Sequence, residues 1–265
     1  PLWNQATSAA TSTPYTSSTM AATAGVPTGS SKLCMSCHDG TVAIGSTSSN
    51  GTITMAGLTS GKLTGASSLG TNLGDDHPIS FVPITGPQIV NPPAASPVKL
   101  DATGQIQCRT CHDPHQMDVD STTMKFLAMS NSSSGLCLVC HQKQYWSTNP
   151  STHMTSTKAY TATQGAHTGY TTVATNGCEG CHKPHTANAA DRGLKAREEL
   201  TCGSSGGQCH GSTAIGRNIQ AEFSKAYVHP VYSVTPSVHD PSESPTNPGR
   251  TLPEVSPAAP RHAEC

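Results

Sequence analysis

Aromatic side chains are nearly missing from this chain: Phe 3, Trp 2 and Tyr 6 in 265 residues, or 4%. All hydrophobic residues together reach only 34%. That is too little apolar material for the chain to build a sizeable core from its own side chains. Charge is scarce as well, at 12% of residues with a formal net charge of −1, which excludes a basic nucleic-acid surface. Nowhere does an apolar run approach the roughly 18–20 residues of a transmembrane segment. Gly 24 and Pro 20 accompany a large Ser/Thr content. On composition alone the chain reads as largely disordered.

Cysteine and histidine are in excess, with Cys 11 and His 13. Eight of the cysteines fall in four copies of Cys-x-x-Cys-His: Cys34-Met-Ser-Cys37-His38, Cys108-Arg-Thr-Cys111-His112, Cys137-Leu-Val-Cys140-His141 and Cys178-Glu-Gly-Cys181-His182. This is the attachment signature of c-type haem. Two thiols three positions apart each add to one vinyl group of the same porphyrin, and the histidine that follows is delivered to the iron as an axial ligand. Two competing uses weigh less. A disulfide framework has no need of the histidine, and zinc sites use spaced pairs of ligands rather than adjacent Cys-His. Covalently held haem also resolves the conflict with composition, because each plate staples loops of chain as a metal or disulfide does in a small scaffold. Removing the haem is expected to unfold the chain.

A fifth site is irregular. Cys202-Gly-Ser-Ser-Gly-Gly-Gln-Cys209-His210 keeps the Cys-His ending but places six residues between the thiols. One reading is a fifth haem on a looped-out Cys-x6-Cys-His, giving five copies of haem c. The other is a disulfide, Cys202 with Cys209 or with Cys265, beside a structural His210.

Eight histidines remain as distal ligands. His115 and His185 share the pattern Cys-His-x-Pro-His, where the proline forces a turn and sends the second ring to a neighbouring haem. His77 and His229 precede proline, which favours extended backbone, and His167 lies in a Gly-Ala-His-Thr-Gly stretch. His239 and His262 follow in a second tier with His153, for which the surface reading is preferred. The seven Met show no matching pattern, so bis-His ligation, with low potentials and closed irons, is the expectation. Closed irons favour conduction over catalysis; the irregular site is where an open iron belongs, if there is one.

The expected fold is mostly irregular coil with short α-helices and little or no sheet, wrapped around a closely packed row of haems. Residues 1–107 form an N-terminal segment with the first motif and a long Pro/Ser/Gly-rich loop. Residues 108–265 hold the closely spaced motifs and a C-terminal coil, the two making one continuous haem-cored domain. A short hairpin is entertained within Val42–Leu63, and Pro83–Pro97 excludes a long helix. Ile215, Ile219, Phe223 and Tyr227 recur every four residues and predict a helix. A shorter one is expected at Asp191–Leu200.

Ser31-Lys32-Leu33-Cys34 through Gly40-Thr41-Val42-Ala43, Asp76-His77-Pro78-Ile79-Ser80-Phe81, the two Cys-His-x-Pro-His runs and Tyr227-Val228-His229-Pro230-Val231 resemble the multihaem cytochromes with paired Cys-x-x-Cys-His repeats of metal-respiring bacteria and related anaerobes. Some similar cytochromes polymerise into extracellular filaments, in which a histidine of one subunit ligates a haem of the next. The resemblance therefore implies self-association into a filament, with His262 or His239 as the bridging ligand. It also implies redox partner proteins or extracellular electron acceptors, and an extracellular or cell-surface location. The alternative is a soluble periplasmic carrier; a multihaem reductase stands third. In such relatives a segment like Pro1–Asn4 follows an earlier motif, and Arg261–Cys265 looks like the approach to another. A longer parent cytochrome, with its export signal removed, is the corresponding expectation.

Overall fold

The computed structural model describes residues 3–17, 20–116, 125–147, 149–159, 170–187, 191–196, 201–203, 209–211, 218 and 221. His167, His229, His239, His262 and most of the helix predicted over 215–227 lie outside the described residues.

Most of the described chain is coil. The longest helix, α1 (Gly29–His38), carries the first motif; Thr28 enters it in an extended conformation. It stops at Asp39, whose Oδ1 accepts from the main chain and hydroxyl of Thr41, and at Gly40, whose φ of 70° only glycine adopts without strain. The other helices are single turns: α2 (Cys108–Cys111), α3 (Gly135–Leu138), α4 (Gln144–Ser147), α5 (Thr152–Thr155) and α6 (Val173–Asn176). β1 (Ser46–Thr47) and β2 (Gly51–Thr52) form a two-stranded antiparallel hairpin in which Thr47 faces Gly51. Asn50 and Gly51, the latter at φ 68°, close its turn.

The segment expected as a helix from Asp191 begins with a 3₁₀ turn, Asp191–Gly193, with Arg192 at φ 60°; residues 197–200 of it lie outside the described residues. Its carbonyls and amides are drawn to the fourth motif, where Leu194 bridges to His182. Long-range pairing outweighs local propensity here.

The interior is polar. Among the described residues the largest fully buried side chains are Gln107, Val98, Asn176, Ser31, Ser36 and Ser134. Only Val98 is apolar; Gln107, Ser31, Ser36 and Ser134 form side-chain hydrogen bonds to other segments. The N-terminal arm lies extended along the body, with Ala6 N donating to Ser46 O, Thr13 N to Thr71 O and Leu73 N to Thr13 O. Contacts cross the 107/108 division directly: the Cys108 amide donates to Ser31 Oγ at 2.9 Å.

Candidate haem sites

Each regular motif after the first is closed by one bond from its histidine N–H to the first cysteine's carbonyl. His112 donates to Cys108 at 3.0 Å, His141 to Cys137 at 2.9 Å and His182 to Cys178 at 2.8 Å. A single helical turn thus brings two thiols three positions apart to one side, with the imidazole just beyond. The irregular site makes the same closure, His210 N to Cys202 O at 3.0 Å.

A second segment clamps each regular motif. Leu69 N donates to His38 O, Val90 N to Cys140 O, Ala128 N to Cys111 O and Lys195 N to Cys181 O. The clamps also hold the rings. His38 Nδ1 meets Ser67 O at 2.7 Å, His112 Nδ1 meets Lys125 O at 2.9 Å and His182 Nδ1 meets Arg192 O at 2.9 Å. A carbonyl can only accept, so these rings carry their proton on Nδ1 and present Nε2 as a lone pair, the arrangement a metal-ligating histidine uses.

The motifs form two similar pairs. In the first, the Cys108 amide donates to Ser31 Oγ; in the second, the Cys178 amide donates to Ser134 Oγ at 2.7 Å. Ser31 and Ser134 each stand three residues before the first cysteine of a Ser-x-Leu-Cys-x-x-Cys-His run. This repeat is legible in the sequence once the two runs are aligned. The thiols meet in the same way. Cys34 donates to Cys108, which pushes Cys34 up and draws Cys108 down to about 7. Cys137 donates to Cys178, which pushes Cys137 up and draws Cys178 down to about 6.

The second cysteines link one pair to the next. Burial pushes Cys111 up to about 12, with Cys140 as the next contributor. Burial likewise pushes Cys181 up to about 11, with Cys209 next. The five cysteine sites therefore neighbour one another in chain order, joined alternately through first and second cysteines.

Three pairs of imidazoles face each other from distant segments. His112 and His185 have ring centroids 6.0 Å apart at 33°, His77 and His141 6.2 Å at 87°, and His153 and His210 6.0 Å at 86°. A metal bonded to two imidazoles at about 2 Å each, with about 1 Å more from each nitrogen to its ring centre, separates the centroids by about 6 Å. Each pair joins the histidine of a cysteine motif to one from elsewhere in the chain. Burial lowers the pKa of His77, His112 and His182, and lowers that of His141 to about 4, so these rings are neutral, as ligation requires. His77 is exposed and borders a cleft shared with Tyr15, Met35, Asp76, Cys108 and His185.

The donor set fits haem c most fully at the second site: paired thiols, His112 with its proton fixed on Nδ1, and His185 at the separation two axial ligands need. The ring of His185 stands beside that of His112 in the second motif, and the ring of His77 beside that of His141 in the third. His115 is exposed and, among the described residues, faces no imidazole; nor do His38 and His182 at this separation. His153, preferred above as a surface residue, is exposed on α5 with its ring 6.0 Å from that of His210. Its signal is absent from sequence, since no proline or motif marks it.

A family model described as the doubled CXXCH motif matches residues 101–145, which contain the second and third motifs. No curated protein matches the chain. The match and the motifs support a multihaem c-type cytochrome with covalently bound haem. Among the described residues no helix is long and apolar enough to cross a membrane.

Proposed function

We propose that this chain transfers electrons along a row of five bis-His haems c, as a subunit of an extracellular filament. Haem c supplies one-electron redox chemistry when bound. The chain supplies the rest: cysteines that tether, histidines that ligate and carbonyls that fix each ring's proton. The observation that carries this reading is the three imidazole pairs near 6 Å, together with a chain-order succession of neighbouring cysteines, Cys34 near Cys108, Cys111 near Cys140, Cys137 near Cys178 and Cys181 near Cys209. Such a succession orders five sites into one row with two ends, which is what through-conduction requires. A disulfide framework would use the Cys34–Cys108 and Cys137–Cys178 contacts but gives no role to three imidazole pairs near 6 Å.

The row spans both sequence segments, 1–107 and 108–265, as one haem-cored body. Second ligands for His38 and His182 come from His115, His167, His229, His239 and His262, of this chain or of the next subunit. A bridging ligand of that kind is what extends a row from one subunit to another, and the low charge keeps repulsion between subunits small. Cryo-electron microscopy of the haem-loaded native protein tests this. The expected result is a filament with an unbroken haem row crossing each subunit boundary. Separate particles with all irons closed would make the protein a soluble periplasmic carrier. Particles with one iron that binds CO would make it a reductase.

A further inference from the structure

Five of the imidazoles have an acceptor at Nδ1. Four of these acceptors are main-chain carbonyls: Ser67, Lys125 and Arg192 for the motif histidines, and Pro78 for His77 at 3.0 Å. The fifth is different. His185 Nδ1 donates to Asp76 Oδ1 at 2.9 Å, and Asp76 is only 5% exposed. The Thr186 amide also donates to Oδ1, at 3.3 Å, while Oδ2 is buried with no hydrogen-bond partner among the described residues. Among the described residues no Lys or Arg pairs with this carboxylate; His185 is its ion-pair partner.

The contact is held from both sides by backbone. His77 N donates to Pro184 O and Ala187 N donates to Asp75 O, both short of 2.9 Å, so residues 75–77 and 184–187 lie side by side with the Asp76–His185 bond between them. A rearrangement of either side chain alone cannot swap the acceptor for a carbonyl.

We propose that Asp76 is a positioning residue that makes the haem held by Cys108, Cys111 and His112 the hardest to reduce among the sites with a described pair of imidazoles. This rests on reading His112 and His185 as its two axial ligands. A carboxylate accepting from Nδ1–H makes the imidazole a stronger donor at Nε2. Ferric iron carries one more positive charge than ferrous, so the stronger donor and a buried negative charge both favour the ferric state. One-electron reduction of this iron, by a neighbouring haem, leaves that charge less compensated. At the third site the Nδ1 acceptor is neutral, the Pro78 carbonyl on His77, and carries no such bias. In a row of five, this second site becomes a step that electrons cross rather than a place where they rest.

The experiment is a potentiometric titration of the haem-loaded protein, followed by visible absorption and by electron paramagnetic resonance of the ferric irons. The 33° angle between the His112 and His185 rings gives this haem a rhombic low-spin signal, unlike the near-perpendicular pairs at the third and fifth sites. In the unaltered protein the rhombic signal should persist to lower potential than the signals of those two sites. In Asp76→Asn it should disappear at higher potential, by about tenfold in the reduction equilibrium constant, or about 59 mV for one electron; Asp76→Glu should restore most of the difference. If the rhombic haem reduces before the other two, or if Asp76→Asn leaves its titration unmoved, the role of Asp76 is refuted. His185→Ala separates this from the ligation itself. It should open that one iron to CO and abolish the rhombic signal, and if every iron stays closed the reading of the ligand pair fails instead. Should Asp76→Asn not fold, the titration of the unaltered protein still decides.

Discussion

His210 donates its main-chain N–H to the Cys202 carbonyl at 3.0 Å, the bond that His112, His141 and His182 make to the first cysteine of their own motifs. Six residues separate Cys202 from Cys209 where a regular motif has two, yet the closing bond is kept. The insert is therefore accommodated without losing the placement of His210 relative to the first cysteine. The haem-loaded chain is expected to carry five covalent haems by intact mass, and the double variant Cys202→Ala, Cys209→Ala four. A mass corresponding to four on the unaltered chain would refute the fifth site.

The pairing of His153 with His210 makes a sharper demand on that same site. His153 sits on a single helical turn, Thr152–Thr155, with no proline or motif beside it. If it is the second ligand, His153→Ala leaves one iron with an open position. The reduced variant is then expected to bind one CO per chain where the unaltered protein binds none, and His77→Ala is expected to do the same at the third site. A His153→Ala protein that binds no CO would return His153 to an ordinary surface role.

Gly177 is the joint between the third and fourth sites. Its φ is 60° with ψ −135°, and a Cβ there would come within 2.0 Å of Ser134 Oγ and 2.9 Å of Ser134 N. That region of backbone space belongs to glycine, and the hydroxyl in the way is the one that accepts from the Cys178 amide. Gly177→Ala should cost about 3 kcal/mol or more in denaturant unfolding. Ser134→Ala removes only the acceptor and leaves the Cys178 N–H to find another, an expected loss of about 1–3 kcal/mol. Equal stability of Gly177→Ala and the unaltered protein would mean that the two sites are not joined here.

The motifs made the cofactor legible from sequence, because thiol spacing and the adjacent histidine are local chemistry. The poverty of aromatics made the coil legible as well, since outside Ile215–Tyr227 the sequence offers little apolar face for a long helix or sheet. What stayed hidden is nonlocal. Nothing near His185 says that its ring faces His112 rather than the ring of its own motif's neighbour, and nothing near His77 points to His141. Those assignments depend on how residues 75–77 and 184–187 lie together. The 3₁₀ turn at Asp191 is hidden for a related reason: residues 192–195 bond to the backbone and ring of the fourth motif. The Ser31 and Ser134 repeat, by contrast, was present in the sequence and needed only alignment of the two runs.

Asp101 offers a pH test on the approach to the second site. Its carboxylate accepts from the Thr103 hydroxyl and amide, the Gln105 amide and, through the other oxygen, Gln107 Nε2 at 2.9 Å. The Thr103 hydroxyl is the largest cause, followed by the Gln105 amide, and together they hold the carboxyl down from 3.8 to about 2. A depressed carboxyl stabilises the folded turn above its ordinary value and loses that contribution as pH falls through the folded one. The turn from Asp101 to Gln105 should therefore hold above pH 3.8 and loosen progressively as pH falls toward about 2. Gln107 is 1% exposed and immediately precedes Cys108, so loosening releases one of its amide's acceptors beside the motif. Hydrogen exchange of a peptide covering 99–107 measures this when each pH is compared with Asp101→Asn, which cannot titrate. The difference between the two proteins should shrink across that window. A difference that is constant from neutral pH down to 2 would show that the carboxylate's charge does not hold the turn.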